Sequence, residues 1–153
     1  MTYIDLADAI QDRIVSRWPD RTFYRDFCPV KHERPSFFLA VSEVGMEPVN
    51  AGLVEWRTVM TLEIFGARDE YDEAALEVLM AEQREILRLF GTCCVRAAAR
   101  VVTVLPKAEG QEAGSAFVSF TADWFSAMER EPRPESLPAD SYTLHVGVEA
   151  SRG

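Results

Sequence analysis

The chain has 153 residues, of which 48% are hydrophobic and 27% are charged, and its net charge is −9. These values are typical of one domain with a single core, and the acidic balance argues against a protein that reads DNA sequence, which needs a basic patch. The amino terminus lacks a basic start and an apolar stretch, and no apolar run approaches the roughly 18 residues of a membrane span. With three cysteines, two of them adjacent, the sequence predicts a soluble intracellular protein with reduced thiols and no membrane contact.

Two segments have the apolar spacing of amphipathic helices. In residues 4–18, apolar side chains recur at helical spacing, acidic side chains fill the other side, and Pro19 ends the segment. The second helix is expected to start at Asp69 or Asp72, as its N-cap, and to run to about Phe90.

Five segments have the alternation or composition of strands. They are residues 22–28, 36–44, 54–65, 95–105 and 115–128. The stretches 45–53 and 106–114 contain glycine and proline and are expected to be connecting loops. The order helix, three strands, helix, two strands predicts an α+β fold, with a mostly antiparallel sheet of four to five strands and two helices packed on one face.

The composition changes after Met128, where three prolines punctuate a charged stretch. Residues 1–129 are therefore expected to form the α+β domain, and residues 130–153 an extended C-terminal arm. Within the arm, Tyr142, Leu144, Val146 and Val148 alternate with more polar residues and predict an added strand over 142–148. An isolated strand is not stable, so this one would pair with its own sheet edge or with another subunit.

Sequence motifs for catalysis are missing. The chain has no phosphate-binding loop, dinucleotide fingerprint, nucleophile elbow or zincin motif, and its only histidines are His32 and His145. Cys28 and His32 could ligate zinc together with the Cys93–Cys94 pair, but Pro29 intervenes and Cys-x-x-Cys knuckles are absent. We therefore expect no enzymatic activity, no metal and no cofactor.

Four arginines lie close together in the sequence, namely Arg13, Arg17, Arg21 and Arg25. They could contact phosphates, or they could pair with nearby acids such as Asp12 and Asp20 on a solvated surface. The second interpretation is favoured, because charges spaced along a helix usually pair locally.

Several short stretches together resemble a known family. They are Ala9-Ile10, Trp18-Pro19, Phe23-Tyr24, Pro35–Leu39, Trp56-Arg57, Met60–Phe65, Phe117–Phe120 and Ala127–Glu129. Over residues 4–129 the chain resembles the phage tail-terminator (tail completion) proteins of prophage-like tail gene clusters. Residues 66–72 and 91–100 match in pattern only, and the arm from Arg130 to Gly153 is longer than the family leads us to expect.

The resemblance implies a virion structural protein that is assembled in the host cytoplasm and placed in the neck of the tail. Copies would form a ring, usually of six, that caps the tail tube, stops its polymerisation and provides the docking surface for the head completion or connector protein. In contractile tails the ring would also meet the tail sheath, and DNA would pass through its lumen without specific contacts.

Three groups of residues are the candidates for these contacts. The lumen-facing acids would be Glu43, Glu55, Glu63 and Asp123, because like charge prevents the duplex from sticking. The contacts to tube and connector would be Met46, Glu47, Val49, Asn50, Lys107, Glu109 and Gln111. The subunit-interface arm would use Tyr142, Leu144, Val146 and Val148.

Three other functions stay open at the level of sequence. One is a head-side neck protein, such as a stopper or adaptor, which would bind filled heads rather than tube ends. Another is a small divergent hydrolase or metal-dependent nuclease. The last is a host regulatory domain with an adaptable sheet groove, which would be monomeric or dimeric rather than a ring.

Overall fold

A computed structural model of the chain describes residues 1–67 and 75–130. Its elements in chain order are α1 (Tyr3–Arg17), β1 (Thr22–Arg25), β2 (Ser36–Asn50), β3 (Leu53–Phe65), α2 (Leu76–Leu89), β4 (Cys94–Ala97), β5 (Arg100–Glu112) and β6 (Ser115–Ala127). The predicted arm 131–153, with its strand at 142–148, lies outside the described residues, as do Asp69 and Asp72.

The strands form one six-stranded sheet in the order β1-β2-β3-β6-β5-β4, which curves into a half-barrel. The outer pair β1–β2 is parallel, and the other neighbours are antiparallel. The prediction of a mostly antiparallel sheet of four to five strands was therefore wrong. Two elements account for the difference: β1 runs parallel to its neighbour, and the predicted strand 95–105 is divided into two.

The parallel pairing of β1 follows from the connection that comes after it. Residues 26–35 carry the chain back along the sheet, so that Thr22 lies beside Ser36 at the start of both strands. Aromatic contacts stabilise this arrangement, because Phe37 packs against Trp18 and Phe23 with ring centroids 5.3 and 6.1 Å apart. These contacts join distant parts of the sequence, so local patterns do not reveal them.

A tight turn separates β4 from β5. Ala97 pairs with Arg100, and Ala98 has a φ of 51° in the left-handed region, which two-residue hairpin turns require. Alanine is not a usual residue for this conformation, because its Cβ clashes there. The sequence therefore shows an unbroken run where the chain in fact reverses.

Both helices pack on the same face of the sheet. Leu6, Ile10 and Ile14 from α1 and Leu79 and Ile86 from α2 are almost fully buried against it. The sheet contributes Phe37, Leu39, Met60, Leu62, Ile64, Val118 and Phe120 to the same core. The expectation of two helices on one face is met, since apolar residues at helical spacing must find a single apolar surface.

The helix starts differ from each other in chemistry. Thr2 and Asp5 form a capping box at the start of α1, where each side chain accepts a hydrogen bond from the other residue's backbone N–H. The described helix α2 begins after Ala75, which offers no side-chain cap, and the expected caps Asp69 and Asp72 lie outside the described residues.

The two long hairpins extend further than the sequence suggested. The stretches 45–53 and 106–114, expected as loops, are mostly strand, and the chain reverses only at Ala51–Gly52 and at Ala113–Gly114. Because Leu53 pairs with Ala127 and Phe65 pairs with Ser115, the two turns lie at opposite ends of the sheet. The β3–β6 register spans about 40 Å between these ends.

Candidate functional site

Within residues 1–67 and 75–130, one face of the sheet carries no helix, and we call it the open face. It is built by the residues that alternate with the buried ones on β3 and β6, so that Glu55, Arg57 and Glu63 project from β3 and Asp123 projects from β6. The sequence alternation predicted this orientation, and the structure places all four lumen candidates (Glu43, Glu55, Glu63 and Asp123) on this face.

Glu43 reaches the open face through a β-bulge. The register shifts between Val41 and Glu43, so that Glu43 lies opposite Val59 and no longer follows the inward phase of Leu39 and Val41. The hydroxyl of Thr58 donates a hydrogen bond to the Glu43 carbonyl at 3.0 Å and satisfies the irregular backbone. The bulge thus turns a carboxylate out of the core.

Acidic side chains surround one arginine in a concavity of about 350 Å³ on the open face. The Arg57 guanidinium donates from Nε to Asp123 Oδ1 at 2.9 Å, and Glu43, Glu47 and Glu55 line the same concavity. The hydrogen bond to Asp123 raises the pKa of Arg57, and the charges of Asp123, Glu55 and Glu43 add to that effect. The concavity therefore presents four carboxylates around the Arg57 guanidinium, which its hydrogen bond to Asp123 holds in place.

The open face also changes in charge and polarity from strand β2 to strand β4. Across the sheet, Glu47 pairs with Glu55, and Glu55 pairs with Phe125. Counting back along β5 from Val104, which pairs with Ala122, brings Val101 beside Phe125, and Val101 pairs with Arg96 of β4. We call these five residues the cross-sheet row (Glu47, Glu55, Phe125, Val101, Arg96). It begins with carboxylates, passes through exposed apolar side chains and ends with a cation.

The basic and apolar part of the open face was missed from the sequence. Val101, Leu105 and Phe125 are 64%, 54% and 49% exposed. In the run Val101–Leu105 the inward residues Val102 and Val104 are also apolar, so no alternation in polarity marks which ones face outward. The turn at Ala98 decides which residues of β5 face outward, and an alanine in the sequence does not indicate such a left-handed turn.

The predicted contact residues divide between the two ends of the sheet. Met46, Glu47, Val49 and Asn50 lie near the Ala51–Gly52 turn, where the side chains of Met46 and Val49 are 54% and 50% exposed. We call this end the 46–50 tip. Below it, Trp56 and Trp124 stack with ring planes 10° apart, and Trp56 Nε1 donates to Ser126 Oγ at 2.9 Å. The 46–50 tip is therefore supported by two stacked tryptophan rings, one of which is hydrogen-bonded to Ser126.

Lys107, Glu109 and Gln111 lie at the other end, near the Ala113–Gly114 turn, where a bulge between Ala108 and Gln111 interrupts the β5–β6 register. Their side chains are engaged within the subunit. Glu109 accepts a hydrogen bond from Ser119 at 2.8 Å and lies 3.8 Å from Lys107, and Gln111 donates to Gln83 at 2.9 Å. This end is consequently held in one shape by its own contacts.

The four clustered arginines all have partners inside the domain. Arg17 contacts Glu85, Arg21 contacts Glu82, and both acids lie on α2. Arg25 donates to Asp8 and Gln11, and Arg13 donates to the carbonyl of Cys94 at 2.9 Å. The preference for pairing over phosphate contact is supported, although the partners are not the neighbouring Asp12 and Asp20 but residues of other turns and elements.

The proposed zinc ligands are not brought together. Cys28 and His32 follow β1 at one edge of the sheet, whereas Cys93 and Cys94 lie at β4, the opposite edge. Over residues 1–67 and 75–130, no group of three or more His, Cys, Asp or Glu side chains is arranged to hold a metal ion. Burial raises the pKa of the Cys28 thiol, and the charge of Glu63 raises it further. His32 packs on Phe65 with ring centroids 3.9 Å apart and has Nδ1 3.3 Å from the Pro29 carbonyl.

Neither helix of the described part of the chain is long and apolar enough to cross a membrane. The arm candidates Tyr142, Leu144, Val146 and Val148 lie outside the described residues. Arg130, the last described residue, donates to the Ala51 carbonyl at 2.9 Å and so lies beside the 46–50 tip.

Comparisons with known proteins give little further information. No protein-family model matches the sequence, and no curated protein matches it. One solved structure is similar over 86% of this chain and 99% of its own length, with 10% sequence identity and a TM-score of 0.49. Its name describes no function, and a likeness of this strength carries no argument about this chain.

Proposed function

We propose that the chain is a phage tail terminator, a non-enzymatic virion protein of the tail neck. Copies of it form a ring, usually of six in the family that the sequence resembles. One side of the ring caps the finished tail tube, and the other side receives the head completion or connector protein. In a contractile tail the ring also borders the sheath.

The separation of the two hairpin turns carries this proposal. A terminator must contact the tube on one side and the connector on the other, so its contact residues must lie at opposite ends of the subunit. The 46–50 tip and the end near Gly114 satisfy this requirement, since the β3–β6 register places them about 40 Å apart. The seven contact residues, which the sequence predicted as one group, therefore divide between two partners: those of the 46–50 tip contact one, and those near Gly114 contact the other.

The open face supports a second part of the proposal. It presents Glu43, Glu55, Glu63 and Asp123, with Arg57 as a counter-ion for one of them. A negative wall repels the phosphates of a passing duplex and keeps DNA from binding as it moves through the lumen.

The proposal is tested with two matched substitutions. Val49 and Val78 are both 50% exposed, but Val49 lies at the 46–50 tip and Val78 lies on α2. We expect Val49→Asp to give overlong tail tubes in electron micrographs of lysates, because the cap no longer fits the tube end. Val78→Asp should leave tail length unchanged.

Normal-length tails from a folded Val49→Asp protein would contradict this function. Purified protein that binds filled heads but not tube ends would identify it as a stopper or adaptor instead. Metal-dependent cleavage of DNA by the purified protein would indicate the divergent nuclease.

A further inference from the structure

The connection between β1 and β2 carries the most exposed large apolar side chains of the described residues, and we call it the 26–35 loop. Val30 is 98% exposed and Phe27 is 75% exposed, whereas Val101, the next in order, is 64% exposed. A single apolar side chain on a surface requires no explanation, because folded proteins lack enough polar surface to cover themselves. Two bulky ones within one short loop point instead to a contact with a partner.

Backbone contacts fix the start of this loop. Asp26 has a φ of 61°, in the left-handed region that aspartate tolerates better than most residues, and its N–H donates to the Leu39 carbonyl at 3.3 Å. The N–H of Phe27 donates to the Arg25 carbonyl at 2.6 Å and closes a three-residue turn. The chain therefore turns sharply at the end of β1, and the exposed ring of Phe27 follows directly on a segment that is bonded to the sheet.

Side-chain contacts fix the return of the loop. The ring of His32 packs on Phe65, the last residue of β3, and the guanidinium of Arg34 lies 5.3 Å from the centroid of the same ring. Arg34 Nη1 also donates to the Gly114 carbonyl at 2.9 Å, and a Cβ at Gly114 would lie only 3.0 Å from that nitrogen. The 26–35 loop is thus attached to the Gly114 end of the sheet, opposite the 46–50 tip.

A loop that is fixed at both ends loses little conformational freedom when a partner binds it. The ordering cost of association is then small, so that more of the free energy gained by burying apolar area appears as affinity. Aromatic side chains that enter a pocket of the partner are the residues that most often dominate such interfaces. Phe27 and Val30 therefore fit an apolar pocket on another protein.

The contact residues predicted for the Gly114 end contrast with this loop. Lys107, Glu109 and Gln111 direct their polar groups to contacts within the subunit, whereas Phe27 and Val30 are directed to solvent. The apolar surface that this end can offer to a partner therefore comes from the 26–35 loop. Since the proposed function assigns the 46–50 tip to the tail tube, the partner at the Gly114 end is the head-side protein.

We propose that the 26–35 loop anchors the head completion or connector protein, with Phe27 and Val30 inserted into an apolar pocket of that protein. This inference rests on the proposed terminator function and adds to it the surface that joins the head and the chemistry of the pocket that receives it. The polar residues near Gly114 then surround an apolar centre, which is the usual arrangement of a specific interface.

Substitution of the two anchors tests the inference. The variants are Phe27→Ser, Val30→Ser and both together, with Phe27→Leu as the conservative change and Ile4→Ser, at a 53% exposed position at the start of α1, as the control. Tails are assembled with each variant in lysates that lack the unaltered protein and are then mixed with DNA-filled heads. Joined particles are counted by electron microscopy, and circular dichroism checks that each variant is folded.

Each serine variant should give tails of normal length that join heads roughly tenfold less often, because the apolar anchor is lost while the 46–50 tip is intact. Phe27→Leu should keep most of the joining, and Ile4→Ser should join as the unaltered protein does.

Normal joining by the variant with both serines would overturn the inference, and so would an equal loss in Ile4→Ser. Overlong tails, or a change in particle mass measured by light scattering, would also overturn it, because the loop would then contact the tube or another copy of the chain. Failure of the terminator function itself is recognised separately, since Val49→Asp would then leave tail length normal.

Discussion

The side-chain amide of Gln83 donates a hydrogen bond to the backbone carbonyl of Phe117 at 2.8 Å, deep between α2 and β6. The same nitrogen donates to the Glu109 carbonyl at 3.2 Å, and the Gln83 oxygen accepts from Gln111 at 2.9 Å. The bulge between Ala108 and Gln111 interrupts the backbone pairing at this point, and Gln83 replaces the missing partners.

Replacing Gln83 by leucine should lower the free energy of unfolding by about 2 kcal/mol, because buried carbonyl groups lose their donor. Urea denaturation measures the change. Arg84→Leu, on the exposed side of the same helix, should stay within about 0.5 kcal/mol of the unaltered protein. Equal stability of the two variants would show that the buried contacts contribute nothing.

The Arg21–Glu82 ion pair should be much stronger than the neighbouring Arg17–Glu85 pair. Side chains of the first pair are 19% and 13% exposed, against 51% and 35% for the second. Both arginines lie over the Trp18 ring, and Arg21 also lies over the Phe37 ring. In double-mutant cycles with alanine we expect coupling of about 2 kcal/mol for Arg21–Glu82 and at most about 0.5 kcal/mol for Arg17–Glu85. Similar coupling in the two cycles would mean that burial does not strengthen the first pair.

The left-handed conformation of Ala98 predicts that substitution by glycine increases the stability of the fold. Because Ala98 has a φ of 51°, Ala98→Gly should raise the free energy of unfolding by about 1 kcal/mol. At Ala99, which does not have a positive φ, the same change should be neutral or destabilising. Thermal unfolding of the two variants provides the comparison, and destabilisation by Ala98→Gly would contradict the turn geometry.

The raised pKa of Cys28 predicts slow alkylation near neutral pH. The thiolate is the reactive form, so the pH at which iodoacetamide reacts at half its maximal rate should be higher for Cys28 than for an ordinary thiol. Glu63→Gln should lower that pH without abolishing the shift, because burial remains. Mass spectrometry after timed alkylation gives the rate at each cysteine.

The same shift links Cys28 to stability. The folded protein retains the thiol proton to higher pH than the unfolded chain, so this contribution to stability is complete below the unfolded pKa of about 8.5 and is lost as the pH rises through the folded value. Cys28→Ser should remove this part of the alkaline loss of stability. An unchanged alkaline profile in Cys28→Ser would argue against the linkage.

Regular patterns allowed part of the fold to be predicted. The helix expected at 4–18 is Tyr3–Arg17, and the alternation of residues 54–65 gave both the strand and the outward direction of Glu55 and Glu63. These elements have one polar and one buried face, so the sequence records their orientation directly.

The remainder depends on contacts that a local pattern does not contain. The parallel strand β1 depends on Phe23 and Trp18 meeting Phe37, and the division of β4 from β5 depends on a left-handed alanine. The outward position of Glu43 depends on a bulge, and that of Arg96 on the turn before β5. The outward positions of Glu55, Glu63 and Asp123 were thus predictable, whereas those of Glu43 and Arg96 were not.

The unbroken β3–β6 register has a mechanical consequence. From Leu53↔Ala127 to Phe65↔Ser115 the two central strands stay paired without a bulge, while the irregular positions fall on β2 and β5 outside them. A force applied at one hairpin turn therefore tilts the β3–β6 pair as a rigid unit and displaces the other turn. Strands β2 and β5 can bend at their bulges without weakening this transmission.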